Sequence, residues 1–224
     1  MVSWYFKAID CINNQKEVPY YIESKIRDLW VYLSSKEKKE LIERVLYSKK
    51  PSLGFRYLNK NKILSEVFRP LYSLQRVPQN KHKSKNALEH TLRVIDTVPA
   101  DNKLLRWVAL FHDLGKHDSY VKDNNFIKHA YYSAEITNLY MSYIFKLPEA
   151  KKIIKIVQNH MLPLDYQRNP VWDTTTILRF IERCGKEYVI DTIDFSYYDK
   201  KSENDYPEYL KPISTLKEII KDYV

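Results

Sequence analysis

VALFHDLGK, residues 108–116, is the stretch on which the fold turns: four apolar residues run directly into a histidine and an aspartate. A buried charge is costly unless something partners it, so an acid placed straight after an apolar run needs a reason to be there. Leu104, Leu105, Val108 and Phe111 recur at helical spacing and predict a helix over residues 102–114. Upstream, NALEHTLRVID (86–96) sets Leu88, Leu92 and Ile95 on one helical face, with His90 in the same segment. Downstream, FIKHAYYSAEI (126–136) and IVQNH (156–160) each bring one further histidine. The periodicity predicts helices over 86–98, 102–114, 129–145, 148–160, 175–184, 186–199 and 216–223. Strand-like alternation does not persist beyond a few residues, and there is no internal repeat or low-complexity tract. The fold class is all-α.

Towards the N-terminus, Ile22, Ile26, Leu29 and Leu33 predict a helix over 20–33. Ser34 with Glu37 forms a capping box for another over 35–47. Pro51 opens a short helix, PSLGFRYLNKN, and an apolar turn over 63–68 is stopped by Pro70. Residues 76–85 have no apolar period and read as a basic loop. That seam divides an N-terminal helical lobe, 1–84, from a second unit, 85–224.

Composition excludes several phosphate-handling designs. The 224 residues include only three glycines, Gly54, Gly115 and Gly185. Dinucleotide folds and P-loops need clustered glycines, because only a residue without Cβ lets the backbone approach a phosphate closely. Gly115 and Gly185 stand at expected helix stops, Gly115 as a left-handed cap. Cys11 and Cys184 stand far apart, outside any CxxC pair, so neither a disulfide scaffold nor a thiolate zinc site is expected. The opening MVSWYFKAIDCINN lacks an export signal pattern, and no run of about 18 apolar residues occurs. The expected location is the cytoplasm, with no membrane span. Formal net charge is +9. Residues 49–88 hold ten lysines and arginines against the single acid Glu66, which equals the whole excess. Such a stripe is the footprint of a polyanion partner such as RNA, although lysine-rich coding bias produces the same excess.

Four of the six histidines fall into one ordered set: His90, His112 beside Asp113, His129, His160, and then an aspartate near position 199. Each stands in or at the end of a different predicted helix. Imidazole nitrogen and carboxylate oxygen bind divalent transition metals, and helices converging in a bundle can aim them at one point. Neighbouring helix residues point about 100° apart, so His112 and Asp113 reach one ion only in a groove between helices. His82 and His117 read as exposed loop histidines.

These words together resemble the HD superfamily of metal-dependent phosphohydrolases. The match extends over residues 42–199 and includes SKKPSLGFRYLNKNKILSEVFRPLYSLQRVPQ (48–79). That stretch is similar to the C-terminal half of bacterial-type tRNA nucleotidyltransferases and poly(A) polymerases, as is the placing of His82 eight residues before His90. The nucleotidyltransferase half is expected to be missing, since no glycine precedes Gly54. The resemblance implies an HD-domain helical bundle carrying a smaller N-terminal lobe. It implies one or two divalent ions (Mn, Co, Ni, Fe or Mg). His90, His112, Asp113 and the last aspartate would hold one, with His129 and His160 completing a second across a bridging Asp113. Counting along GKEYVIDTIDFSYYD (185–199) puts the last acid on Asp199. Tyr198 stands where the family usually has a small residue, so Asp194 and Asp191 stay open.

Asp113, His129, His160 and Lys116 are the implied catalytic residues. Arg76, Lys81, His82, Lys83 and Lys85 are the candidates for holding phosphate or nucleic acid. The implied reaction is hydrolysis of phosphomono- or phosphodiester bonds of nucleotides or RNA ends, for example a 2′,3′-cyclic phosphate or a 2′- or 3′-phosphate. The basic segment 49–88 would contact tRNA or other RNA. A deoxynucleoside triphosphohydrolase, an alarmone hydrolase and a non-catalytic RNA-binding module are the alternatives. The oligomeric state is open.

Overall fold

Capping chemistry sets the first helix boundaries. Ser34 Oγ accepts the Glu37 N–H while the Glu37 carboxylate accepts the Ser34 N–H, so the capping box forms and the next helix starts at Ser35. The computed structural model describes residues 3–14, 16–20, 22, 32–79, 84–144, 148–203 and 206–224. In order the helices are α1 (Ser3–Asn13), α2 (Ser35–Leu46), α3 (Pro51–Lys60), α4 (Leu64–Val67) and α5 (Arg69–Ser73), then a tight turn, Leu74–Arg76. After a loop come α6 (Ala87–Thr97), α7 (Lys103–Phe111), α8 (Lys116–Asp123) and α9 (His129–Asn138). The chain ends with α10 (Ala150–Asn159), α11 (Leu162–Arg168), α12 (Thr174–Cys184), α13 (Val189–Glu203) and α14 (Pro207–Lys221). Among the described residues the only extended pairing is a single bridge, Pro78 with Asn86. The all-α expectation is met.

Several boundaries differ from the periodic reading. Most of the helix expected over 20–33 lies outside the described residues. Helices α1, α8 and α11 carried no expectation. In α8 only Ser119 is buried, so there is no apolar stripe to see. Pro70 opens α5 rather than stopping the turn before it, and Pro207 starts the last helix nine residues earlier than Leu216; proline suits a first helical turn, where its missing N–H costs nothing. Helix α9 ends at Asn138 and widens into a π-helical stretch, Leu139–Ile144. Gly115 is not a left-handed cap, since its φ is −75°. Gly185, with φ +88°, does end α12 in the region that favours glycine.

The apolar core forms two clusters. The larger runs from Ala8 and Ile9 on α1 through Phe55, Phe68, Leu92, Val108 and Phe111 to Phe195, and it is continuous across residues 84 and 85. The smaller packs Ile177, Phe180, Val189, Ile193, Ile213 and Leu216 from α12, α13 and α14. Helix α13 serves both, with Phe195 in the first and Ile193 in the second.

Helix α7 is buried from Leu105 to Phe111 and forms the axis of the larger cluster. One of those residues is Arg106, 2% exposed. Its Nη1 donates to Leu46 O and Ser48 O, both at 2.6 Å, and its Nε donates to Val98 O at 3.2 Å. A buried guanidinium is tolerated because carbonyls that have no partner at the end of α2 take its protons. Asp96 on α6 makes a second tie. Its carboxylate accepts the Ser52 N–H at 2.9 Å and Ser52 Oγ–H at 2.6 Å, capping α3, whose own N-cap residue Lys50 offers no side-chain acceptor.

Arg106→Met is expected to strand those carbonyls and lower the unfolding free energy by about 3 kcal/mol or more, at about 1–3 kcal/mol for each unsatisfied buried group. Urea denaturation followed by circular dichroism measures this; an unchanged midpoint would show that the clamp is dispensable.

Candidate metal centre

Five helices and one turn deliver the histidine and aspartate set to a single point. His90 projects from α6; His112 ends α7, and Asp113 lies in the turn that follows; His129 opens α9; His160 ends α10; Asp199 lies on α13. All six are at least nine-tenths buried. Asp113 is central: its Oδ2 is 3.2 Å from His112 Nε2 and 3.4 Å from His90 Nε2, while its Oδ1 is 3.4 Å from His129 Nε2. Asp199 Oδ1 lies 3.0 Å from His90 Nε2 and 3.9 Å from His112 Nε2. Two donor groups share Asp113: His90, His112 and Asp113, and Asp113, His129 and His160, each with ligand atoms within 4.8 Å of one another.

Local structure fixes the direction of each donor. Nδ1 of His112 contacts Ala109 O at 2.9 Å, Nδ1 of His129 contacts Phe126 O at 2.6 Å, and Nδ1 of His160 contacts Val157 O at 2.7 Å. A carbonyl only accepts, so each Nδ1 carries a proton and each ring turns its Nε2 to the centre. Burial drives the His160 imidazole down to about 3, with His129 and His112 adding to the effect. Burial also lowers His129, against the pull of Asp113. Two neutral imidazoles therefore face each other, Nε2 to Nε2, at 3.2 Å. Two lone pairs at that distance call for a cation between or beside them. For Asp113, burial favours the neutral acid, but His112, Lys116 and His90 outweigh it and hold the carboxyl well below its usual range. Asp199 is likewise lowered despite burial, chiefly by His90. His112 is raised: burial opposes its charge, and Asp113 and Asp199 more than restore it.

Divalent metal fits this arrangement. Asp113 Oδ2 and Asp199 Oδ1 are buried and accept no well-directed hydrogen bond. Lys116 Nζ is 2.6 Å from Asp113 Oδ2, an electrostatic contact that offsets one charge, and it also donates to Gln79 Oε1 at 3.2 Å. The negative ends of α7 and α10 point at the site and favour a cation there. Hard carboxylate oxygens mixed with imidazole nitrogens suit a first-row divalent ion.

The three acids left open by the sequence now separate. Asp191 pairs with Lys152 at 2.6 Å and Asp194 with Lys217 at 2.5 Å, both away from the histidines. Only Asp199 joins them. Ser196 explains the register: its Oγ lies 2.6 Å from His160 O, pinning α13 to the end of α10 one turn before Asp199. Of the phosphate candidates, only Arg76 and Lys85 are among the described residues. Arg76 sits over the Tyr72 ring, 5.9 Å from its centroid, and lines a separate cleft with Arg69, Glu66 and His117. Lys85 is exposed, and Lys81, His82 and Lys83 lie outside the described residues.

All the donors except His112 line a cleft of about 870 Å³. Its walls also include Gln79, Tyr120, Phe126, Lys200, Glu203 and Tyr209, none of which the sequence singled out. Two had a usable signal: Phe126 begins the word that contains His129, and Lys200 follows Asp199. A model of the HD domain matches residues 83–222, more than half of the chain, and the chain belongs to the HD-domain family, whose members are generally metal-dependent hydrolases. No curated protein matches it.

Gly115 has a steric role here. A Cβ on it would lie 2.3 Å from both His129 O and Ser133 N, and its N–H donates to Ser133 Oγ at 2.9 Å. Gly115→Ala is therefore expected to push the start of α9 away and reduce bound metal, measured by elemental analysis after dialysis. Asp113→Ala is expected to abolish stoichiometric metal altogether, and metal content equal to wild type in that variant would disprove the shared-carboxylate site.

Proposed function

We propose that the protein is a cytoplasmic metal-dependent phosphohydrolase acting on phosphomono- or phosphodiester bonds of nucleotides or RNA ends, such as a 2′,3′-cyclic phosphate or a 2′- or 3′-phosphate. The observation that carries this reading is the shared Asp113 carboxylate, with one oxygen turned to His90 and His112 and the other to His129, in the floor of an open cleft. His90, His112, Asp113 and Asp199 would hold one divalent ion, and His129 and His160 with Asp113 a second; such ions would supply Lewis-acid polarisation of phosphoryl oxygens and a lowered pKa for attacking water.

The chain's own residues do the rest. Asp113 holds the two donor groups in register. Lys116, on the first turn of α8 and largely covered, balances the Asp113 charge and sets a fixed ammonium beside the position of a phosphate oxygen. Should a single ion be held by the His90 group alone, the Nε2 lone pairs of His129 and His160 would stay free to accept a hydrogen bond from the attacking water. The apolar ring of Phe195 packs against His112 and His160, at 5.2 and 6.0 Å between centroids, and keeps water from behind the site.

The resemblance of residues 48–79 to the helical body of tRNA nucleotidyltransferases supports RNA as the macromolecular partner, as does the charge of the 49–88 segment. In this reading residues 1–84 form the RNA-facing lobe and residues 85–224 the catalytic one. Among the described residues no helix is long and apolar enough to cross a membrane.

A metal-supplemented screen of cyclic mononucleotides, 2′- and 3′-nucleotides, deoxynucleoside triphosphates and tRNA is expected to give phosphate release or ring opening on nucleotide or RNA ends, lost in Asp113→Ala. Release from none of them would refute the enzymatic reading. RNA affinity is expected to fall steeply between low and physiological salt; a flat salt dependence would remove the RNA-backbone part alone.

A further inference from the structure

Tyr120 and Phe126 stack on one another, with ring centroids 5.9 Å apart and planes 17° from parallel, and both line the cleft that contains Asp113 and His129. Tyr120 is 39% exposed and Phe126 38%. Two aromatic rings left open beside a floor of ionised groups are hydrophobic area that the chain itself does not cover. The loop that holds them is built. Asn124 ends α8 in the left-handed region, with φ 52°, Ser119 Oγ donates to Asn125 O at 2.8 Å, and Asn125 Oδ1 accepts the Ile127 N–H at 2.9 Å. The same turn sets His129, whose Nδ1 donates to the Phe126 carbonyl at 2.6 Å. Ring wall and metal donor are therefore placed together. The other aromatic ring in the lining, Tyr209, carries the Lys200 ammonium 5.2 Å from its centroid, and that ammonium is also engaged by Glu203 at 3.0 Å.

We propose that Tyr120 and Phe126 form the wall on which a nucleobase stacks when the phosphate of the same molecule lies at Asp113, so that the substrate's base is held on the His129 side of the cleft. The proposal rests on the phosphohydrolase reading for its phosphate end and adds a specificity-determining pair to it. Stacking on an aromatic side chain needs no base-specific hydrogen bond, so the wall accepts purines and pyrimidines and rejects phosphates that carry no base.

Equilibrium dialysis of the full chain against adenosine 5′-phosphate and ribose 5-phosphate, with divalent ion and with EDTA, tests this. The base-bearing probe is expected to bind about tenfold or more tightly, the size of one base–aromatic stack. That preference is expected to collapse in Tyr120→Ala and in Phe126→Leu, to survive in Tyr120→Phe, and to survive in Ile127→Ala, which trims an exposed side chain outside the cleft. Upfield shifts of the purine protons on binding to wild-type protein report the stack without any variant. Equal affinity for the two probes in the wild type overturns the proposal. So does a Tyr120→Ala protein that is folded by circular dichroism and keeps the preference. A chain that holds no metal yet prefers the nucleotide loses the metal reading and keeps this one; a chain that holds metal and binds both phosphates equally does the reverse.

Discussion

Asp113 carries a negative charge while almost wholly buried in the floor of the cleft, and the architecture around it answers that one constraint. An ionised carboxylate in the interior costs several kcal/mol, on the order of magnitude known for buried ions, unless opposite charge and hydrogen bonds meet it. Here His112, His90 and Lys116 approach one oxygen and His129 the other. The compensation is incomplete in a specific way. The Lys116 contact is poorly directed, and the paired Nε2 atoms of His129 and His160 repel one another unless a cation intervenes. A site with this imbalance is one that a divalent ion completes.

Holding that point steady takes close packing of parts that are distant in sequence. Gly115 lets the first residues of α9 approach the turn after α7 to a distance that any side chain would block. Ser196 ties α13 to the last carbonyl of α10. Helix α13 also bridges the two hydrophobic clusters, so Asp199 is positioned by the α11–α14 packing as well as by the larger core. Arg106 and Asp96 join the N-terminal helices to α7 and α6 through buried polar bonds. Stability and site geometry are therefore coupled: loosening the N-terminal helices loosens the helices that carry His90 and His112.

The basic segment divides once folded. Arg56 pairs with Glu89, Arg76 turns to the Tyr72 ring, and among the described residues Lys116, which lies outside the stripe, is the lysine that reaches the carboxylate centre. A linear count of charge does not reveal which ammonium or guanidinium groups are spent internally. Aromatic residues behaved in the same way. Tyr120 lies in a polar helix with no apolar stripe, and nothing in its neighbourhood marks it as part of a cleft wall. It becomes visible only when the α8–α9 loop sets Phe126 against it.

His90, His112, Asp113, His129 and His160 were legible because ligand chemistry resides in the residue type, and because each lies in or beside an apolar segment that has to be buried. The helical class followed from periodicity for the same reason: burying an amphipathic stripe leaves little freedom in local structure. Polar α8 escaped because it carries no stripe, whereas the early start of α14 carries Leu210 and Ile213 in line with Leu216 but has Pro212 inside it, a residue that reads as a break. The role of Gly115 was also misread, because a close approach between α9 and the preceding turn has no signature in the local sequence. The choice among Asp191, Asp194 and Asp199 was beyond periodicity, as all three lie on one helix within eight residues. Only the packing of α13 against α10 and α14 decided it, by giving Asp191 and Asp194 lysine partners and leaving Asp199 to the histidines. Residue chemistry and hydrophobic period thus determined the donor set and the helices that carry it, while the rotation of each helix about its axis, which selects the donors that converge, is a property of tertiary packing alone.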